Sequence, residues 1–128
     1  ALFDDETDVP AVDCVVDEEH DRVAFVVPPG TMGQAIGPGG EYVQRVESKI
    51  GRDVVIVENA DNAAGFVANA LAPAAVYNVT VSENDTTVAY AEVDSDDRGV
   101  AIGKDGQRIE LARQLAKRHF DIDDIELT

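Results

Sequence analysis

Two glycine-rich stretches of the chain contain the residue types that best suit the binding of a phosphodiester. They run from Gly33 to Gly40 and from Gly99 to Gly106, and their alanine, their isoleucine and three of their glycines recur with an offset of 66 positions. Glycine has no Cβ atom, so a sugar-phosphate backbone can approach such a turn closely. A helix that follows the turn offers its first backbone N–H groups and its positive dipole end to an anion. The repeat therefore predicts one anion-binding unit that is used twice.

Basic residues cluster around the same two turns, although the chain is acidic overall. Residues 98–118 contain six basic and two acidic side chains, and the equivalent residues 32–52 contain three basic and two acidic side chains. Of the ten basic residues, only Arg22 lies outside these two windows. Ion pairs on a solvated helix face do not by themselves predict this clustering. The distribution favours anion contacts and makes the second turn the more basic of the two.

The elements that position the turns follow from the spacing of apolar residues and from cap and turn signals. The first half is predicted to contain strands over 9–16, 22–27 and 53–58, a short helix from the N-cap Thr31 to Ile36, and a helix over 41–50 that stops at Gly51. The second half is predicted to contain a helix over 62–71, strands over 76–82, 86–93 and 122–127, a short helix from the N-cap Ser95 to Ile102, and a helix from Gly106 to about His119.

This order of elements predicts an α+β fold in which each half packs a three-stranded sheet against three helices. We place the domain boundary after residue 58, which gives a first domain over 1–58 and a second over 59–128. The helix that leads the second domain has only residues 1–8 as its counterpart, so the first leading helix is expected to be truncated. No linker separates the halves, and small domains bury little surface alone, so we expect them to be rigidly joined.

Composition limits the class of protein. The chain has 128 residues, with 26 acidic against 10 basic residues, a formal net charge of −16, and Cys14 as its one cysteine. Acidic residues spread along the chain, with few lysines, favour a halophilic protein, because molar salt screens charges beyond about 3 Å. A single cysteine fits a reducing compartment, and no apolar run reaches the roughly 18 residues of a membrane span. We expect a cytoplasmic monomer that does not cross a membrane.

The motif Ile-Gly-x-x-Gly between two helices, with Val43 or Ile109 three residues after its last glycine, resembles the signature of the KH domain. The order with the helix first is similar to the type II KH fold. The tandem pair resembles the archaeal NusA-like transcription termination and antitermination factors. This resemblance covers nearly the whole chain, and the segments that carry it are 13–16, 22–27, 33–37 and 118–122.

The resemblance implies recognition of single-stranded RNA, since a KH turn clamps about four nucleotides of backbone. It implies two clamps, which consist of Gly37, Pro38, Gly39 and Gly40, and of Gly103, Lys104, Asp105 and Gly106. Lys104 matches a basic position that the family uses for phosphate. Because the turn is exposed, an aspartate at Lys104 or Gly103 is expected to weaken RNA binding without unfolding the domain.

The first clamp departs from the family pattern, because Pro38 and Gly39 carry no charge. It must rely on its backbone and on the helix dipole, with help from Arg45 or Lys49. The groove for bases is predicted to be apolar, and the candidates to line it are Ile36, Val43, Ile102 and Ile109. Part of this set is also expected to pack in the core. Gln107 and Arg108 are the candidates for polar contacts to RNA.

Other functions remain open from the sequence alone. Neither turn contains the phosphate-binding motif of nucleotide hydrolases, and the isolated His20, His119 and Cys14 predict no metal site, so we expect neither an enzyme nor a cofactor. One alternative is a KH protein of RNA processing or ribosome biogenesis. Another is an acidic protein-interaction module on RNA polymerase with little affinity for RNA. The predicted partners are single-stranded RNA and RNA polymerase.

Overall fold

The predicted order of elements occurs twice in the structure, a computed structural model that describes residues 2–128. The chain divides into two compact units, Ala1–Asn59 and Ala60–Thr128, one residue after the boundary expected from the sequence. The described elements of the first unit are α1 Leu2–Thr7, β1 Asp13–Asp17, β2 Arg22–Val27, α2 Met32–Ile36, α3 Glu41–Ile50 and β3 Asp53–Glu58. Those of the second unit are α4 Ala63–Leu71, β4 Val76–Glu83, β5 Thr87–Val93, α5 Arg98–Ile102, α6 Gln107–Phe120 and β6 Asp124–Leu127.

Each unit contains a three-stranded sheet with the same topology. In the first, β2 is central and pairs with β1 antiparallel and with β3 parallel. In the second, β5 is central and pairs with β4 antiparallel and with β6 parallel. Two parallel neighbours need a crossover connection, and the two helices around each glycine turn supply it. The predicted α+β fold with three strands and three helices in each unit is confirmed.

The core of the first unit lies between its sheet and its helices. Val46 is fully buried, and Val43 and Ile50 on the same face of α3 are partly buried against the core, as the helical spacing predicts. The rings of Phe3 and Phe25 stack with their centroids 4.2 Å apart. These contacts fix α3, and therefore the turn that precedes it, relative to the sheet.

The second unit has its own core of aliphatic and small residues. Its largest fully buried side chains are Phe66, Leu71, Leu115, Ile122 and Ile125. The Phe66 ring on α4 lies 5.5 Å from the ring of His119 and 5.2 Å from that of Phe120, measured between centroids. These contacts join α4 to the C-terminal end of α6. Among the described residues, no helix is both long and apolar enough to span a membrane.

Two predicted strand starts are wrong. The strand predicted from Val9 begins at Asp13, because Val9 turns into the core and bonds to Thr7 Oγ1, while Pro10 has no N–H to donate to a sheet. The strand predicted from Ile122 begins at Asp124, because the N–H of Ile122 still donates to Ala116 O at the end of α6. Both errors arise where a buried β-branched residue lies just outside a strand.

Of the two predicted N-cap residues, Thr31 is the N-cap of α2, and the prediction of Ser95 is wrong. The Thr31 hydroxyl makes no cap hydrogen bond and instead donates to Pro28 O at 2.7 Å. Ser95 does not cap the short helix; the Asp94 carboxylate accepts from the N–H of Asp96 at 2.9 Å and caps a 3₁₀ turn over Ser95–Asp97. By contrast, Asn62 caps α4 by accepting from the N–H of Gly65 at 2.7 Å.

Asp17 at the end of β1 joins the hairpin turn to the buried Arg22. Its carboxylate lies 2.9 Å from His20 Nδ1 and 2.9 Å from Arg22 Nε. Burial raises the pKa of Asp17, but the hydrogen bonds from His20 and Arg22 outweigh it, and the pKa lies below its usual value. A carboxyl group with a lowered folded pKa stabilises the fold above its unfolded pKa of about 3.9 and stops doing so as the pH falls through the folded value.

We therefore expect Asp17→Asn to lower the free energy of unfolding by about 1–2 kcal/mol at pH 7. The deficit should shrink as the pH falls below about 4, where the wild-type carboxyl group also becomes protonated. Guanidinium denaturation at pH 7 and at a pH below about 4, in constant KCl, measures the difference in the free energy of unfolding between the variant and the wild type. Asp85→Asn, in the exposed turn between β4 and β5, is the matched control and should leave the free energy unchanged. An equal deficit at both pH values would contradict an ionic origin.

Candidate nucleic-acid interface

The two glycine turns have the same backbone conformation. Gly37 and Gly103, which follow α2 and α5, have φ/ψ angles of 79°/172° and 79°/171°. The third residues of the turns, Gly39 and Asp105, have φ values of 61° and 55°, and the last glycines are left-handed as well. In each turn the last N–H donates to the carbonyl of the first glycine at 3.1 Å. The repeat in sequence is thus a repeat in three dimensions.

The first glycine of the second turn is required by its surroundings. A Cβ atom on Gly103 would lie 2.8 Å from the backbone nitrogen and from Cβ of Arg108. The backbone angles of Gly103 also lie in a region that is essentially restricted to glycine. The expectation that Gly103→Asp leaves the fold intact is therefore wrong, because its Cβ would displace the start of α6. Gly106 is different, since a Cβ atom there would meet no atom within 4 Å.

Each turn delivers the start of a helix to the surface. Gly40 and Gly106 are the N-cap residues of α3 and α6, and neither helix has a side-chain cap hydrogen bond. Because both cap residues are glycines, no cap side chain covers the helix end, and the helix dipole makes this end positive. A phosphate oxygen is the type of acceptor that such an end binds.

The second turn adds positive charge that is available to a ligand. Lys104 is exposed, and among the described residues no hydrogen-bond or ion-pair partner of its ammonium group is found. Arg98 at the start of α5 is likewise exposed and forms no ion pair with the part of the chain that the structure describes. Gln107 and Arg108 are partly buried at the start of α6. Lys104 is thus the cation best placed to neutralise a phosphate at this turn.

The second turn also has an exposed apolar neighbour. Ile102 is 40% exposed, and Val100, two residues earlier on α5, is 43% exposed. Sequence reasoning identified Ile102 but missed Val100, for which the first repeat has Gln34. The difference between Val100 and Gln34 at matching positions of the two repeats was the sequence signal that could have identified Val100.

The groove assignment for Ile109 is wrong, because this side chain is buried in the core at 6% exposure. Ile36 and Val43 are half-buried and pack against the first core.

The first turn has no comparable charge. Pro38 and Gly39 are exposed and apolar. Arg45 forms an ion pair with Glu41 one turn earlier on α3, and Lys49 forms one with Glu6 of α1. Both cations suggested as helpers for this turn are therefore already paired within the unit.

Much of the clustered positive charge stabilises the fold. In the part of the chain that the structure describes, at least five of the nine basic residues near the turns form ion pairs: Arg45, Lys49, Arg52, Arg113 and Lys117. The hydrogen bond from Lys117 to Asp123, 2.7 Å long, raises the pKa of Lys117 together with the negative charge of that carboxylate. The interpretation of all nine charges as anion contacts was too broad. The charge that faces a ligand is concentrated at the second turn.

Family models match both parts of the chain. The model of the KH domain matches residues 1–85, and the model of the NusA-like second KH domain matches residues 63–128. Together they cover the two sheets and both glycine turns.

Relatives match nearly the full length. The probable transcription termination protein NusA of Halobacterium salinarum is 66% identical over 128 residues, which are 100% of this chain and 91% of the relative. The protein of the same name from Methanocaldococcus jannaschii is 36% identical over 127 residues, which are 98% of this chain and 68% of the relative. The crystal structure of APE1850 superposes with a TM-score of 0.87 at 30% identity and covers 99% of this chain and 93% of its own. The similarity to a Halobacterium protein agrees with the halophilic composition.

Proposed function

Because the chain belongs to the family of NusA-like transcription termination proteins with KH domains, we propose that it binds single-stranded RNA through its two glycine turns and acts in termination or antitermination. The observation that carries the proposal is the second turn, where the exposed Lys104 has no partner among the described residues and adjoins the uncapped start of α6. A phosphodiester supplies the negative charge and the acceptor oxygens that a lysine beside a positive helix end binds. RNA polymerase is the second partner that we propose.

In the proposed complex, one phosphate of the RNA lies over the second turn. The N–H groups of the first turn of α6 donate to its oxygens, and the Lys104 ammonium neutralises its charge. A neighbouring base then lies over Ile102, where the burial of apolar surface excludes water. Unpaired bases are needed for this contact, because a duplex hides its base faces in the stack.

The two turns are proposed to contribute unequally. The first offers the same backbone and helix end, but its cations are paired with Glu41 and Glu6. A helix end without a cation binds phosphate more weakly than one with a lysine beside it. The second turn is therefore the stronger phosphate clamp.

The acidic surface supports one competing function. A net charge of −16 opposes the approach of a polyanion, and this favours a protein-interaction module on RNA polymerase with little affinity for RNA. Molar salt reduces that repulsion, because its screening length is about 3 Å. In such salt, hydrogen bonds and apolar contacts carry more of the binding than long-range charge does.

The test compares three labelled oligonucleotides of the same sequence, namely single-stranded RNA, duplex RNA and single-stranded DNA. Each is about 12 nucleotides long, which is enough for the roughly four nucleotides that each clamp holds. We expect the intact chain to bind single-stranded RNA at least about tenfold more tightly than the duplex, since a duplex cannot splay its bases. Single-stranded DNA reports on the 2′-hydroxyl contribution. Fluorescence anisotropy over a KCl series gives the affinities. Equal, weak binding of RNA and duplex throughout the series would favour the acidic interaction module.

A further inference from the structure

Tyr42 and Arg45 form a stacked pair beside the first turn. Ring atoms Cγ and Cδ2 of Tyr42 lie 2.5 Å from the place where a Cβ atom of Gly37 would be, so the ring is packed directly against this glycine. The guanidinium carbon of Arg45 lies over the same ring, 5.6 Å from its centroid. The turn, the aromatic ring and the guanidinium group are thus in successive contact.

The charge of Arg45 is compensated, but its planar group remains accessible. Its ion pair with Glu41 places a carboxylate beside the guanidinium group, and this carboxylate would repel a phosphate. The side chain of Arg45 is nevertheless 50% exposed. A guanidinium group that lies over an aromatic ring and is half exposed offers its outer face for stacking, and that contact does not need a free charge.

The surface beside this pair has room and polar groups for a base. A shallow pocket of about 340 Å³ is lined by Arg45, Gln44, Ser48, Glu41 and Lys49. The Gln44 amide nitrogen lies 3.6 Å from the position that a Cβ atom of Gly40 would take, so the pocket adjoins the last glycine of the turn. Amide and hydroxyl groups of this kind can bond to the edge of a base while its face is stacked.

The second unit lacks this arrangement. With the offset of 66 positions, Arg108 takes the place of Tyr42 and Leu111 takes the place of Arg45. Leu111 is buried, with 2% of its surface exposed. Where the second unit has Arg108 and the buried Leu111, the first unit thus has an aromatic ring with an exposed guanidinium group over it.

We propose that the first unit binds a nucleobase of the RNA on the outer face of Arg45, backed by Tyr42, and that Arg45 is a stacking residue there and not a phosphate ligand. This inference rests on the proposed function, since it assigns a part of the RNA to the first turn. Stacking is tolerant of base identity and insensitive to salt. The first unit thus contributes affinity that persists in molar KCl, where the contact of Lys104 is weakened.

The test uses the intact chain, a labelled single-stranded RNA of about 12 nucleotides, and the variants Arg45→Ala and Arg45→Lys. Lysine keeps the charge of Arg45 but removes its plane. Both variants should therefore lose about fivefold in affinity, at every KCl concentration and without a change in the salt slope. Wild-type affinity in Arg45→Lys would overturn the inference. So would a salt slope that falls by about 0.7 in Arg45→Ala, because that is the signature of one lost phosphate contact.

Two controls separate this inference from the proposed function. Arg52→Gln removes a cation of the same unit that pairs with Glu18 and Asp21 and does not line this pocket, so it should leave both the affinity and the slope unchanged. A single abasic site moved along the RNA should include one position at which it weakens wild-type binding but has no effect in Arg45→Ala. If the wild-type chain binds no single-stranded RNA, the proposed function itself fails. If Lys104 variants weaken binding and Arg45 variants do not, only the stacking inference fails.

Discussion

Gly103→Ala is expected to lower the free energy of unfolding by about 3 kcal/mol, although the residue lies in a turn near the surface. The added Cβ atom would be 2.8 Å from the backbone nitrogen of Arg108, and neither the turn nor α6 can move without disturbing the core that Leu115 anchors. Strain from the glycine-only backbone angles adds to this contact. Guanidinium denaturation in constant KCl measures the loss.

Two other glycines in the same segment provide matched controls. Gly106→Ala introduces a left-handed alanine in open space and should cost about 1 kcal/mol. Gly99 lies inside α5, without a left-handed φ and without an atom within 4 Å of an added Cβ. Gly99→Ala should stabilise the unit by up to about 1 kcal/mol, because alanine loses less entropy in a helix. If Gly103→Ala cost no more than Gly106→Ala, the close contact with Arg108 would not be a constraint.

Lys104→Gln is expected to weaken the binding of single-stranded RNA by about tenfold at the lowest KCl concentration at which the chain stays folded. The variant loses a cation that makes no ion pair within the described part of the chain, so its fold should be unaffected. The dependence of affinity on salt should also become shallower by about 0.7, which corresponds to one phosphate contact with a single strand. Anisotropy titrations at several KCl concentrations give both quantities.

Lys117→Gln is the matched control for this prediction. It removes the same charge from the same unit, but Lys117 is held by Asp121 and Asp123 near the end of α6. Its loss should leave the salt slope unchanged and reduce stability slightly, as exposed ion pairs contribute little. Equal effects of the two variants on RNA binding would mean that net charge matters and that the turn does not.

Periodicity predicted the elements that carry the turns because each has a clear signal at both ends. The bounds of α3 and β3 match the prediction at Glu41–Ile50 and Asp53–Glu58. Gly51, left-handed with a φ of 71°, ends α3 and separates it from β3, so the sequence indicates both the end of the helix and the start of the strand. The starts of β1 and β6 were missed because burial of Val9 and Ile122 does not require a strand.

The candidate site was predictable in its backbone and much less so in its charges. Glycine spacing located both turns, since few other residues adopt their angles. Whether a cation faces solvent depends on partners distant in sequence, such as Glu6 for Lys49 and Glu18 for Arg52. A linear sequence does not reveal these pairs. The asymmetry between the turns is thus larger than the count of basic residues indicates.

The shared backbone of the two turns shows which of their properties a duplicated domain can change independently. Both turns have glycine at their first and last positions, and the angles at Gly37 and Gly103 differ by no more than one degree. The intervening residues diverged from Pro38 and Gly39 in one copy to Lys104 and Asp105 in the other. Conformation and ligand chemistry are therefore encoded by separate residues within four positions. Such a turn can evolve a new specificity without passing through an unfolded intermediate.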